Sequence, residues 1–381
     1  MKLEFQEYQA RKILNVHKHV DAWFWDKYSA HPYIGCRSGC EFCYLRGGFY
    51  LGKRLPETFD TLIQVKTNAA ELLRHELNRL PRDVIACGDW QEPAETHYQL
   101  SREMLKVVNE LEFPLLIIER SPLLVRDLDL LCEINQKVWV GVVISLSSLD
   151  QRLKAAFEPR SPGTQRRMAA MEKLAGKGIL VGAGLMPILP HVGDDVAHLE
   201  EVVRAVKDFG GSFILAGGLS MAGIQAERTL HAGARLDVQL ESRWKKMYNW
   251  QPGRGAEYSP PRDYTAQLGK RVREICARYD LPDRMPRFIP EGKMGVNKRI
   301  AELLFLKTYQ LEIEQAELRQ IWAYRKAAWT VDEMKDSIVD IYQFVGEAGI
   351  RSLPDIGNRI ASEIGMWLNE PEVLHQKRIV H

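Results

Sequence analysis

A partial, open (β/α)6 barrel followed by a mainly helical C-terminal region is the α/β architecture this sequence predicts. Short β-rich apolar runs alternate with amphipathic stretches through the first 220 residues, and the alternation stops beyond 225. A Pro/Gly/Arg-rich segment, QPGRGAEYSPPRDY at 251–264, then reads as an irregular loop. The first strand enters HPYIG at 31–35; VIAC (84–87), LLII (115–118), VWVGVVIS (138–145), ILVGAGLM (179–186) and FILAG (213–217) supply five more. Between them, helical patterns cover 58–80, 98–112, 122–135, 164–177 and 195–209. Such units call for a parallel sheet with right-handed crossovers, and six suit an open barrel better than a closed one of eight strands. Ligands of such a sheet sit beyond the carboxyl ends of its strands. Helical patterns return at 265–279 and 297–325. The expected division is an N-terminal extension (1–24), the barrel (25–225), a basic and aromatic region (226–330) and a C-terminal module (331–381).

With 381 residues the chain can bury a full-sized core. Its longest apolar runs, such as VWVGVVISL (138–146), are too short to cross a bilayer, and the N-terminus lacks a charged-then-apolar signal pattern. A cytoplasmic protein is therefore expected. Six cysteines, three clustered and three scattered (Cys87, Cys132, Cys276), do not make a secreted disulfide framework and point to a metal site plus free thiols. The net charge of +2 says little, but Trp244–Arg299 carries thirteen Lys or Arg against six Asp or Glu. Seven aromatics are interleaved there: Trp244, Tyr248, Trp250, Tyr258, Tyr264, Tyr279 and Phe288. Cations beside stackable rings suit a nucleic-acid surface, with Lys245, Lys246 and Arg254 as candidate DNA contacts. A solvated basic face over an aromatic core has the same composition.

The stretch HPYIGCRSGCEFCYLR (31–46) gathers Cys36, Cys40 and Cys43 directly after the first strand. Structural zinc wants four tetrahedral ligands, and no second cysteine pair exists, although His31 or Cys87 would complete a set. A [4Fe-4S] cluster held by three thiolates keeps one iron open to an external ligand, which is the more useful arrangement. C-x-x-x-C-x-Φ-C, with Phe42 as the aromatic Φ, resembles the radical S-adenosylmethionine (radical SAM) superfamily. GDWQEPAE (88–95), ERSPLLVRDLDLL (119–131) and FEPRSPGTQRRMAAMEKLAGKGI (157–179) resemble its spore photoproduct lyase branch. The resemblance spans about residues 10–220.

What the resemblance implies is a partial (β/α)6 radical SAM barrel with a [4Fe-4S] cluster and S-adenosyl-L-methionine as cofactors. A one-electron donor such as a flavodoxin or ferredoxin would reduce the cluster, which would cleave the cofactor to a 5′-deoxyadenosyl radical that abstracts a substrate hydrogen. Cys36, Cys40 and Cys43 would be the metal ligands. Phe42, Asp89, Arg120 and Ser145 would contact the cofactor; Arg120 stands where relatives often carry Lys, and would still neutralise a carboxylate. Glu95 is a weaker candidate that a helix start would equally explain. Cys87 matches the cysteine that returns a hydrogen atom in the lyase branch, and Tyr44 one of two relaying tyrosines, while Phe42 replaces the other and has no O–H to exchange. The implied activity is repair of a UV-type thymine lesion in DNA. Modification of tRNA, protein or a small molecule is the alternative enzyme reading, and a metal-stabilised nucleic-acid-binding protein the non-enzymatic one.

At the C-terminus, IRSLPDIGNRIASEIGMWL (350–368) reads as two short helices joined by a turn at Asp355-Ile356-Gly357. Its apolar spacing resembles the helix-hairpin-helix motif, whose hairpin N–H groups bind DNA phosphate without reading sequence. Ile356, Gly357 and Arg359 would make that contact. Asp355 takes the place of the motif's first glycine, and residues 336–381 carry seven acidic side chains against four Lys or Arg.

Overall fold

Six parallel strands with their carboxyl ends at one edge organise the N-terminal unit. The computed structural model describes residues 2–47, 54–252 and 257–374. The strands, in chain order, are β1 (Glu4–Tyr8), β2 (Leu14–Val16), β3 (Tyr28–Ala30), β4 (Tyr33–Ile34), β5 (Leu62–Lys66), β6 (Ile85–Cys87), β7 (Leu115–Glu119), β8 (Val140–Ser145), β9 (Leu180–Ile188) and β10 (Ile214–Gly218), followed by a short pair, β11 (Met221–Ala222) and β12 (Glu257–Tyr258). The main sheet runs β10-β9-β8-β7-β6-β3-β2, parallel throughout except that β2 pairs antiparallel with β3. The α/β class and five of the parallel strands are as the sequence predicts; the first strand of the sheet, β3, lies just before HPYIG, within which β4 belongs to a separate sheet.

The covering helices are α1 (Ala69–Leu77), α2 (Ala94–Tyr98), α3 (Leu100–Leu111), α4 (Leu128–Lys137), α5 (Gln151–Phe157), α6 (Thr164–Ala175), α7 (Val196–Asp208), α8 (Gly223–Leu236), α9 (Val238–Met247) and α10 (Arg262–Arg278). Side chains alternate across each strand. Tyr28, Ala30, Ile85, Cys87, Leu115, Ile117, Val140, Val142, Ile144, Val181 and Ala183 face the helices and join one continuous core with Met104, Leu131, Met171 and Val203. Ser29, Ala86, Leu116, Ile118, Val143, Ser145 and Gly184 take the opposite, barrel-facing side, where Ile118 is 43% exposed. That exposure marks an open mouth.

The stretch 58–80 differs from its expected structure. The helical pattern at 58–80 holds α1, but its first part is β5, which pairs parallel with β1 and antiparallel with β4 in a separate three-stranded sheet. Ile63 and Val65 are fully buried while Leu62, Gln64 and Lys66 are not, so the period is two.

The chain divides into two units, Met1–His17 with Asp26–Met285, and Lys18–Trp25 with Pro286–His381, so the 226–330 stretch is shared between them. The second unit is helical: α11 (Lys293–Ile313), α12 (Leu318–Glu333), α13 (Ile338–Val345), α14 (Glu347–Arg351), α15 (Asn358–Leu368) and α16 (Pro371–Leu374). The single helical pattern at 297–325 is thus α11 and α12, broken near Gln315, whose φ is +54°. Trp25 packs edge-on against Phe305 with the Arg287 guanidinium over its ring, and Arg287 pairs with buried Asp332.

Glu95 has a structural explanation. Fully buried in α2, it accepts hydrogen bonds from the Tyr33 hydroxyl at 2.6 Å, the Ser101 N–H at 2.9 Å and Arg126 Nη2 at 2.6 Å. It joins the first loop of the barrel to α3 and to the segment before α4. Removing one partner of a buried pair leaves the others uncompensated, so Glu95→Ala is expected to cost about 3–5 kcal/mol, read as a lowered denaturant midpoint.

Candidate active site

The segment carrying the three cysteines leaves β4 and is pinned from several sides. Cys36 N–H donates to Phe59 O at 2.9 Å, Glu41 N–H to Phe157 O at 2.9 Å, and Gln225 Nε2 to Phe42 O at 3.2 Å. Gly39 has φ +63°, and Arg160 fills the space a side chain there would need. Arg160 Nε donates to Arg37 O at 2.9 Å and its guanidinium pairs with Asp60. Arg46, fully buried, lies over the Phe59 ring and 3.4 Å from Asp60.

The three thiols are close enough to influence one another's ionisation. Burial raises Cys36 to about 11 and Cys40 to about 12, while Arg120 pulls both the other way. Among the described residues no three His, Cys, Asp or Glu side chains are drawn together as a single-ion site. The donor set fits an iron-sulfur cluster: three neighbouring thiols, Cys40 buried and Cys36 and Cys43 partly so, beside a cation that favours their deprotonated form.

Asp89, in the turn after β6, faces this group and acts on Cys36. Burial and the neighbouring Glu119 carboxylate raise its pKa, so the spot favours a cation. Gln91 donates Nε2 to Asp89 at 2.9 Å and to Gly35 O at 2.8 Å, leaving its buried Oε1 without a partner among the described residues. An acceptor beside a carboxylate fits an ammonium group, as the amino end of S-adenosylmethionine requires. Gly88 makes the turn possible: its φ is +93° and a Cβ would lie 2.6 Å from the Trp90 ring.

Arg120 directs Nη1 at Cys40 Sγ, 2.6 Å away, and toward Glu158 at 3.5 Å. Ser145 ends β8 on the barrel-facing side, and its carbonyl accepts from Arg167 Nη1 at 3.0 Å. Phe42 is buried among Leu153, Phe157, Leu189 and Trp244. Tyr44 begins a short 3-10 turn and is 60% exposed. His31 holds its Nδ1 3.0 Å from Gly88 O, which can only accept, so Nδ1 carries the proton.

A model of the radical SAM superfamily matches residues 31–207. An uncharacterised protein of Mycobacterium bovis is 31% identical over 261 residues, 67% of this chain and 75% of that protein. The chain belongs to the radical SAM superfamily. Its cofactors are accordingly a [4Fe-4S] cluster and S-adenosyl-L-methionine. Another uncharacterised relative, from Methanocaldococcus jannaschii, is 28% identical and covers 55% of this chain and 75% of its own length. Among solved structures, a spore photoproduct lyase mutant with bound AdoMet and dinucleoside spore photoproduct aligns with TM-score 0.54 at 16% identity, over 74% of this chain and 82% of the lyase. A lyase complexed with the dinucleoside photoproduct aligns with TM-score 0.53 at 16% identity, over 72% and 79%.

The structure gives two of the expected site features a core environment. Cys87 pairs with Ala30 and shares the face of Ile85, so its thiol enters the helix-side core and not the barrel mouth. Burial raises it to about 12, offset only by the Gly88 N–H, with no charged side chain acting on it. The second is the basic segment, two of whose rings serve the core. Trp244 is fully buried and donates to Pro190 O at 3.0 Å, and buried Tyr248 donates to Leu219 O at 2.6 Å. Lys245 pairs with Glu241 at 2.5 Å and covers the Trp250 ring, leaving Lys246 as the exposed candidate; Arg254 lies outside the described residues.

In the C-terminal unit, α14 and α15 form the expected hairpin, with Ile350, Ile356, Ile360, Ala361 and Ile364 buried. Asp355 takes the left-handed φ of +58° that a glycine would favour, and Gly357 caps α15. Arg359 is exposed and reaches Glu363 at 3.3 Å.

Glu119, Gln91, Glu158 and Arg167 escape sequence reasoning because no local spacing links them. Single Cys→Ala changes at positions 36, 40 and 43 are expected to abolish the cluster, measured as iron content and charge-transfer absorbance after anaerobic reconstitution. Cys87→Ala is expected to leave both unchanged.

Proposed function

We propose that this chain acts on DNA and reverses a UV-type thymine lesion by hydrogen-atom abstraction. The observation that carries the reading is the shared fold: one lyase that aligns with it holds AdoMet and a dinucleoside spore photoproduct, and here Asp89, Gln91, Arg120 and Ser145 lie at or just beyond the carboxyl ends of the barrel strands. When bound and reduced by one electron, the cofactors supply a 5′-deoxyadenosyl radical. The protein's part is orientation. Asp89 and Gln91 receive the ammonium of the cofactor, Arg120 offers a guanidinium to its carboxylate, and the open mouth at Ile118 admits an extruded base.

Hydrogen return to the repaired base proceeds without Cys87, whose thiol is directed into the helix-side core. Tyr44, exposed beside the last cluster cysteine, is the remaining hydroxyl-bearing member of the implied relay. The hairpin at Ile356–Arg359 offers backbone N–H groups at the start of α15, where a phosphate binds without sequence readout. DNA affinity on this reading falls steeply with salt.

The test is anaerobic turnover with dithionite and S-adenosylmethionine. Irradiated DNA is expected to stimulate 5′-deoxyadenosine release and thymine recovery over unirradiated DNA, tRNA or protein, with no release from Cys40→Ala. With deuterium-labelled substrate, Cys87→Ala is expected to return the label as the native chain does, whereas Tyr44→Phe lowers return. Stimulation by tRNA or protein in place of irradiated DNA would overturn the DNA reading.

A further inference from the structure

The stretch FEPRSPGTQRR (157–167) has no part in the chemistry above, yet it folds around the cysteine loop. Glu158 is 2% exposed and stands between two guanidinium groups, Arg120 at 3.5 Å and Arg167. It also accepts from the Ser147 hydroxyl and from Ser161 Oγ at 2.9 Å. Burial alone would raise this carboxyl, but Arg120 and Arg167 hold it at about 2. Arg167 is itself fixed, donating Nε to Pro162 O at 2.9 Å and Nη1 to Ser145 O at 3.0 Å. The chain of contacts ends at sulfur, with Arg120 Nη1 2.6 Å from Cys40 Sγ.

We infer that Glu158 is a positioning residue that holds Arg120 against the Cys40 sulfur, and that this pair sets the reduction potential of the cluster. A carboxylate with donors on both oxygens cannot turn away, so the guanidinium it faces keeps one orientation. The step concerned is uptake of one electron from an external one-electron donor. No proton moves and no bond forms. The added negative charge is stabilised by a fixed cation donating to a ligand sulfur, one of the levers by which proteins set such potentials. The inference rests on the family's cofactor and is independent of the substrate.

The experiment is a redox titration of the anaerobically reconstituted full chain, followed by electron paramagnetic resonance, with iron content as the loading check. Arg120→Met is expected to lower the reduced-to-oxidised ratio at a given potential roughly tenfold, about 59 mV for a one-electron couple. Arg120→Lys, which keeps the charge, recovers part of that loss. Glu158→Gln lowers the potential in the native background but not further in the Arg120→Met background, because it acts through Arg120. An unmoved potential in fully loaded Arg120→Met overturns the inference. So does a rise on Glu158→Gln, which loss of a bare negative charge would give. Should Glu158→Gln fail to load iron, Ser161→Ala and Ser147→Ala each remove one donor to Glu158; an unchanged potential in both also overturns it.

Discussion

Parallel pairing is the constraint on which the site depends. Because β3 and β6–β10 run the same way, each delivers its following loop to one end of the sheet, and chemistry assembles there from segments far apart in sequence. Asp89 follows β6, Arg120 follows β7 and Ser145 ends β8. Glu158 lies 38 residues beyond Arg120, yet the two meet at 3.5 Å. The cysteines enter the same end from the loop after β4, pinned by Phe59 and Phe157 backbone carbonyls. An antiparallel sheet would scatter these groups over both edges.

The same pairing decides which side chains see the mouth. Strand ends alternate, so neighbouring residues at one end can have unrelated roles. Cys87 and Ala86 show this: one enters the core with Trp90 and Met104, the other takes the barrel-facing side. A thiol two residues from Asp89 thus joins the helix-side core.

The strands were legible because parallel strands covered on both faces read as continuous apolar runs, as in VWVGVVIS and ILVGAGLM. LIQVK was hidden by the opposite property: half-exposed, it alternates, and the adjoining helix masked its period. The break at Gln315 carried no Gly or Pro to announce it. At the site, the cysteine spacing and Asp89 stood out in one segment each. The face of Cys87 did not, because it depends on the register of β6 against β3. Nor did the fate of Trp244 and Tyr248, since composition cannot tell a ring that stacks on a base from one that fills a core.

Charge balance explains why the buried groups around the cysteines are tolerable. Arg120 and Arg167 face a single carboxylate, Glu158, leaving one positive charge in excess beside three thiols. Burial opposes charge on Arg120, and the cysteines and Glu158 outweigh that cost. Deprotonated cysteines match that excess. On the Asp89 side the balance is reversed: the Glu119 carboxylate acts on Asp89, and Gln91 Oε1 has no partner among the described residues. Both Arg120 contacts use Nη1, and a guanidinium has five N–H donors. One residue can therefore serve a sulfur on one side and a carboxylate on the other. The site thus has an acceptor-rich side at Asp89 and Gln91 and a donor-rich side at Arg120.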